Sequence, residues 1–374
     1  MKFSAIPGLT EIKATLIDSV RNKHIAHAQL FLGNPGALNL PLALAYTTYL
    51  HCEQKGETDS CGICAACSKS LKYIHPDTSF VFPFRALKKD EDVDKVKSDT
   101  TKSWRTFLLN QPFDELGSWI NLYEGEDKQA AISRDAGREI IKTLSLKPFE
   151  STYKVMIIWQ PELMHPSAAN GILKILEEPP ANTFFLLVSN AADRLLPTIL
   201  SRTQMVKVPQ LSDEVLNEYL INHATLNEIR RQEIIQLADG NLNLAIKLID
   251  SEEDHFQHRF EEWMRFCFKR DYAQLLTYSE EFHESDKLSQ QNLFLYGLSM
   301  MRETLLQLSG AAAIGRVKTS EVIFVHNFSK VMSVTKIEKI NRLMSDACYH
   351  LERNGSAKMI FLDLSIQISK TLNP

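Results

Sequence analysis

A chain of 374 residues with 44% hydrophobic and 24% charged residues has the makeup of a soluble globular protein, long enough for two or three domains with their own cores. A net charge of −4 excludes a bulk electrostatic grip on nucleic acid, which needs Lys and Arg in excess or in clusters. The longest apolar stretches, such as Phe184–Val188, fall far short of the ~20 residues of a membrane helix, and Met1-Lys2-Phe3-Ser4 opens no apolar signal core, so no membrane partner is expected and cytoplasm is the expected compartment.

In chain order, Ala28–Leu32 predicts a strand and Leu40–His51 a helix, with a Gly/Pro turn between them. Cys52, Cys61, Cys64 and Cys67 then fall within sixteen residues. Zn²⁺ favours four tetrahedral ligands, and close Cys-x-x-Cys pairs let one turn present two sulfurs to one ion. Gly56 and Gly62 can relieve the backbone where it folds tightly. The expectation is a closed, structural zinc module at 52–67 without catalysis; the alternatives are free thiols or redox use of a Cys-x-x-Cys pair.

Residues 84–129 break the rhythm. The charged run Lys88-Lys89-Asp90-Glu91-Asp92 predicts a solvated loop, and Trp104, Phe107, Phe113 and Trp119 predict that the remainder packs, as one short helix. The segment is expected to be an insertion, of no assigned role. Lys154–Trp159 and Phe184–Val188 are continuous β-rich runs suited to a buried parallel sheet, and Ser167–Leu176 between them has helical spacing that stops before Pro179-Pro180. Strands separated by helices imply an α/β layer over residues 1–210. Leu216–Leu220, Glu228–Leu237 and Leu242–Ile249 predict a small helical domain at 211–254. Phe256–Phe268, Gln290–Leu308 and Ile337–Asn354 predict a third, all-helical domain at 255–374.

The turn after the first strand, Gly33-Asn34-Pro35-Gly36-Ala37-Leu38-Asn39-Leu40, sits where nucleotide hydrolases carry a phosphate-binding loop. That loop needs Gly-x-x-x-x-Gly-Lys-Ser/Thr, with Lys for the β/γ-phosphates and a hydroxyl for Mg²⁺. Asn39 replaces the ammonium and Leu40 the hydroxyl; read alone, the segment is equally an ordinary strand–helix turn. After Val155-Met156-Ile157-Ile158, where such an ATPase places Asp-Glu, stand Trp159 and Gln160, neither of which carries a charge.

The block Ala169-Asn170-Gly171-Ile172-Leu173-Lys174-Ile175-Leu176-Glu177-Glu178-Pro179-Pro180 closely resembles the Asn-x-Leu-Leu-Lys-x-Leu-Glu-Glu-Pro-Pro pattern of bacterial clamp-loader ATPases. Thr198-Ile199-Leu200-Ser201-Arg202 resembles their Thr-x-x-Ser-Arg-Cys signature, with Thr203 in place of Cys, and His27-Ala28-Gln29-Leu30-Phe31 resembles their first strand. The resemblance covers roughly residues 5–80 and 130–250. It implies an AAA+ (P-loop NTPase-like) α/β domain, a small helical lid and a C-terminal helical collar. It also supplies the four-cysteine module, which family members carry after the first helix.

In that family the Ser-Arg-Cys arginine reaches the γ-phosphate of ATP held by the neighbouring subunit, so the resemblance makes Arg202, presented by Ser201, a trans arginine finger. Family ATPases sense nucleotide through an arginine in Gly-Ser-x-Arg-x-Ala; the matching Gly240-Asn241-Leu242-Asn243-Leu244-Ala245 has Asn243 there. Cis-acting groups are missing while the trans-acting one stays. The resemblance therefore implies the delta-prime role within the DNA polymerase III holoenzyme's clamp loader: no ATP bound in cis, gamma/tau and delta subunits as partners, and the sliding clamp and primed DNA met through the complex, in nucleoid-associated replication machinery. Two rivals remain. An active clamp-loader ATPase with divergent motifs would have to tolerate Asn39, Leu40, Trp159, Gln160 and Asn243. A zinc-dependent DNA-binding protein would need a basic face near 52–75, where only Lys55, Lys69 and Lys72 are basic.

Overall fold

Strands β1 (Ala28–Leu32), β2 (Thr78–Val81), β3 (Lys154–Trp159), β4 (Thr183–Ser189) and β5 (Gln204–Lys207) pair into one parallel sheet in the spatial order β2-β3-β4-β1-β5. The structure, a computed structural model, describes residues 1–374 except 86–90, 123–129, 145–146, 250–255, 313–314, 316, 318–320, 353–354 and 374. Ala28 lies opposite Phe185 and Leu32 opposite Ser189, while Lys154 faces Thr183 and Trp159 faces Val188. β3 and β4 are buried along their whole length, which is why they read as unbroken apolar runs and not as alternating ones.

Both faces of the sheet are covered by the helices that connect its strands. Before β1 comes α1 (Thr10–Arg21), and after it α2 (Asn39–His51), which packs on α1 and on β1, β3 and β4. All of α2 is buried, as its apolar-all-round sequence requires. Next come α3 (Ala65–Ser70), β2, α4 (Val93–Asn110), α5 (Leu116–Asn121) and α6 (Arg134–Leu144), then α7 (Pro166–Glu177) between β3 and β4, and α8 (Pro197–Leu200) before β5. On the face opposite α2, Ile140 and Leu144 of α6, Ile172 and Leu176 of α7 and Ile199 of α8 share a core with Leu30, Met156, Ile158, Phe185 and Leu187.

Among its described residues, the segment expected to hold one short helix holds two, and one of them, α4, is 18 residues long. Asp92 caps α4 by accepting the amides of Asp94 and Lys95, and Trp104, Phe107 and Leu108 bury on one stripe while the Lys and Thr residues stay on the wet side. Phe84 and Ala131 exchange two backbone hydrogen bonds of 3.0 Å each, so the insertion leaves and rejoins the domain through one narrow bridge. Lys88, Lys89 and Asp90 of the charged run lie outside the described residues.

The remaining helices are α9 (Asp213–His223), α10 (Glu228–Ala238), α11 (Leu242–Ile249), α12 (Phe256–Lys269), α13 (Tyr272–Glu284), α14 (Lys287–Leu308), α15 (Val322–Ser329), α16 (Val334–Glu352) and α17 (Ala357–Leu372). The chain divides into two units, Met1–His223 with Asp239–Leu244, and Ala224–Ala238 with Ala245–Pro374. In the second, α12, α13 and α16 pack on α17, and α14 packs on α12, α15 and α16. Its core is aromatic: Phe361 lies 4.8 Å from the Trp263 ring and 4.5 Å from Phe282, and Trp263 Nε1 donates to Ser365 Oγ at 2.8 Å. The architecture is thus the expected parallel-sheet α/β domain with a helical C-terminal region. Among the described residues no helix is long and apolar enough to cross a membrane.

One carboxylate fastens the edge of the sheet at β2. Asp77, immediately before that strand, accepts the amides of Phe149, Glu150 and Ser151 at 2.5, 2.8 and 2.8 Å. Burial opposes its ionisation, yet these amides outweigh burial and hold the carboxyl below its ordinary value. A depressed folded-state pKa stabilises fully above the unfolded value of ~3.9 and is lost as pH falls through the folded value. Asp77→Asn is therefore expected to cost ~2 kcal/mol at pH 7, read as a lowered urea midpoint, and the gap from wild type should close as the titration is repeated below pH ~4.

Candidate functional site

Parallel strands send their outgoing loops to one edge of the sheet, where open α/β folds bind their ligands. The loop after β1, the end of β3 and the end of β4 meet there. Gly33 and Gly36 need their missing side chains: a Cβ at Gly33 would lie 2.6 Å from Ala37 Cβ, and one at Gly36, whose φ is +84°, would lie 2.2 Å from Asn241 Cγ. Asn241 itself donates to Glu115 Oε1 at 3.0 Å, a residue of the insertion, and accepts Leu244 N. The turn's glycines are thus closed over by side chains of the same unit.

Asn39 and Leu40, at the lysine and hydroxyl positions, are both buried. Asn39 Nδ2 donates to Ser189 O at 2.9 Å and to Asn190 Oδ1 at 2.7 Å, and its Oδ1 accepts Leu40 N. The amide is fully engaged in pinning α2 to the end of β4. Trp159 is buried with its ring 5.1 Å from Trp104 and 6.0 Å from Phe107. Trp104 stacks on Phe82 at 4.3 Å and meets Trp119 edge-on at 5.0 Å, while Trp119 Nε1 donates to Pro83 O at 2.8 Å. The insertion therefore packs on the strand end where the acidic pair would stand. Gln160, in a left-handed conformation with φ 55°, is buried too. Asn243 is also buried.

A carboxyl that sequence reasoning passed over sits at this edge. Glu162 Oε1 accepts Asn190 N at 3.1 Å, and burial pushes its carboxyl up. It lies in the turn that follows Gln160, outside any motif, and only the return of β4 brings Asn190 to it.

The incoming edge of the sheet carries a guanidinium. Arg202 follows α8 and precedes β5, whose first residue, Gln204, pairs with Gln29 near the start of β1. A strand such as β4, seven residues long, puts ~20 Å between this edge and the glycine turn. Arg202 Nε and Nη2 donate to Glu177 Oε2 at 3.3 and 3.1 Å, and Nη1 donates to Thr198 O at 3.1 Å and Ser201 Oγ at 3.4 Å. Ser201 is exposed. Thr203, where the resemblance has Cys, donates its hydroxyl to Ile199 O at 3.1 Å and Leu200 O at 3.3 Å.

The four cysteines converge. Their sulfurs lie within 4.8 Å of one another, and Cys61 Sγ and Cys67 Sγ are 3.8 Å apart. A tetrahedral ion with ~2.3 Å bonds to sulfur separates its ligands by ~3.8 Å, so the donor set fits a metal such as zinc. Successive amides point at the sulfurs: Cys61 N at Cys52 Sγ (3.3 Å), Cys64 N at Cys61 Sγ and Cys67 N at Cys64 Sγ (both 3.4 Å). The amides of Cys64 and Ile63 hold the Cys61 thiol down to about 6, whereas burial pushes Cys52 and Cys67 up. Gly62 takes φ +78° to close the second turn, and Asp59 braces the module by accepting Phe3 N and Ser4 N at 3.0 and 2.9 Å.

Comparison with known proteins gives one consistent neighbourhood. The family described as "DNA polymerase III, delta subunit" matches residues 8–212. DNA polymerase III subunit delta' of Escherichia coli is 25% identical over 62% of this chain and 57% of its own length. The delta' subunit of Pseudomonas aeruginosa is 30% identical over 47% of this chain and 41% of its own length, and subunit tau of Bacillus subtilis is 23% identical over 67% and 37%. The chain thus aligns with between about a third and somewhat over half of these relatives' lengths.

The cysteine geometry yields a direct test. Protein purified without chelator is expected to carry about one metal ion per chain by elemental analysis, and Cys67→Ser to lose it together with several degrees of Tm. Well under one ion per chain in the parent protein would contradict the assignment.

Proposed function

The chain belongs to the DNA polymerase III delta-subunit family, and from that premise we propose that it is a non-hydrolysing clamp-loader subunit of the delta-prime kind, which lends Arg202 in trans to ATP held by a neighbouring gamma/tau subunit. In this role it helps a complex that also contains delta to load the sliding clamp onto primed DNA. The likeness to delta' and tau subunits supports the choice of partners.

One observation carries the reading: the two edges of the sheet are chemically unequal. At the outgoing edge, Asn39, Leu40, Trp159 and Gln160 are buried and uncharged, and the amide of Asn39 is engaged within the chain. An ATP bound there would bring several phosphate charges to positions that offer no cation, beside Glu162, whose carboxyl pKa burial pushes up. At the incoming edge stands a guanidinium with a planar array of donors. It cannot serve its own chain's turn ~20 Å away, so any phosphate it meets belongs to another subunit. A guanidinium placed where charge builds up in phosphoryl transfer contributes on the order of 10³–10⁵ in rate.

The four cysteines are assigned Zn²⁺ as a structural ion, since a closed tetrathiolate leaves no position for substrate. Bound by these four cysteines, the ion would hold α3 and the turn before it as one body beside α2.

Two measurements decide the main reading. The isolated chain is expected to show no saturable binding of Mg-ATP at micromolar concentrations by calorimetry; a fitted site would remove the non-hydrolysing reading. In a clamp loader reconstituted from the same organism's subunits, Arg202→Ala is expected to leave assembly intact and to lower the DNA-stimulated ATPase rate, with the site facing Arg202 losing on the order of 10³-fold. An unchanged rate with intact assembly would leave only an architectural role.

A further inference from the structure

The guanidinium of Arg202 is held on two sides by its own chain. Glu177 Oε2 takes the Nε–Nη2 edge at 3.3 and 3.1 Å, and Thr198 O and Ser201 Oγ take Nη1 at 3.1 and 3.4 Å. Of the five N–H bonds of the group, Nε–H and one on Nη2 serve Glu177 and those on Nη1 serve Thr198 O and Ser201 Oγ, which leaves the second Nη2–H for a further acceptor. The side chain is 30% exposed, enough to be reached and too little to sweep freely.

Glu177 is the last residue of α7, which packs against α8, the helix that carries Thr198. Pro179 and Pro180 stop α7 there, so the backbone that presents Glu177 has a fixed end. A carboxylate in a helix's last turn opposes the helix dipole, so α7 gains nothing from it locally. Its described partner is Arg202. An arginine left alone on a surface turn would sample many rotamers, and each docking event would have to order it.

We propose that Glu177 is the positioning residue for Arg202: it fixes the guanidinium plane in advance and turns the remaining Nη2 proton toward the phosphate of the neighbouring subunit. The proposal rests on the reading of Arg202 as a trans finger and adds what orients it. A carboxylate that merely sequestered Arg202 would have the opposite sign, because its removal would free the finger and raise the rate.

The test uses the reconstituted clamp loader with full-length chains carrying Glu177→Gln, Arg202→Ala or both, and reads assembly together with kcat and KM for DNA-stimulated ATP hydrolysis. Glu177→Gln is expected to lower kcat about three- to fivefold, the scale of an exposed ion pair, with assembly and KM essentially unchanged. In the Arg202→Ala background the same change is expected to cost nothing more, because the two residues then act as one unit. An unchanged or raised kcat for Glu177→Gln, or an equal loss when Arg202 is already absent, overturns the proposal. If Arg202→Ala lowers the rate and Glu177→Gln does not, the proposal alone falls. If Arg202→Ala leaves the rate unchanged, the finger reading falls and takes the proposal with it.

Discussion

Parallel pairing obliges each strand to return through a crossover on a sheet face, so outgoing loops gather at one edge and incoming ones at the other. The placement of the glycine turn and of Arg202 in the first unit follows from that polarity. β4 pairs through Phe184–Val188 with Val155–Trp159 on one side and through Phe185–Ser189 with Ala28–Leu32 on the other, which brings Gly33, Gln160 and Asn190 to one edge. The same alignment carries Glu177, before β4, and Arg202, before β5, to the other edge. No local feature of the turn Ser201-Arg202 could set this separation; the strands between do.

At the outgoing edge, the uncharged side chains and the packing go together. Lys beside a phosphate must stay wet or paired, whereas Asn at the same position can be buried by three hydrogen bonds to β4 and its own helix. Asp at the end of β3 would forbid an apolar neighbour, whereas Trp159 invites one, and Trp104 with Phe107 supplies it. Each of these rings buries ~150–250 Å² of surface. An Asp in place of Trp159 would set a charge against Trp104 and Phe107.

The sequence is most legible where one element suffices. Lys154–Trp159 was bounded to the residue by its own apolar run, and the two prolines stopped α7 within a residue or two. The cysteine spacing announced a cluster because a turn of that length leaves the sulfurs little choice. β2 and β5 are only four residues each and half polar, so Thr78–Val81 and Gln204–Lys207 gave no usable alternation. α4 hid behind its solvated face, since most of its 18 residues are Lys, Asp, Thr or Ser and its few buried aromatics read as isolated. Pairs such as Arg202–Glu177 and Asn39–Asn190 lie 25 and 151 residues apart, and only the folded sheet brings them together. The motifs named the residues; they carried no information on what holds them.

An arginine at one edge and a neutral turn at the other also constrain assembly. Subunits that exchange a finger for a nucleotide meet head to tail, the incoming edge of one against the outgoing edge of the next. A ring or filament made of this chain alone would set Arg202 against Asn39, Leu40 and Trp159 of the next copy, and no interface would hold a triphosphate. On the reading of Arg202 as a finger, its cation has work only against a different subunit, one that keeps the lysine and the acidic pair. On that reading, the uncharged groups at one edge make a hetero-oligomer the setting in which the arginine at the other edge acts.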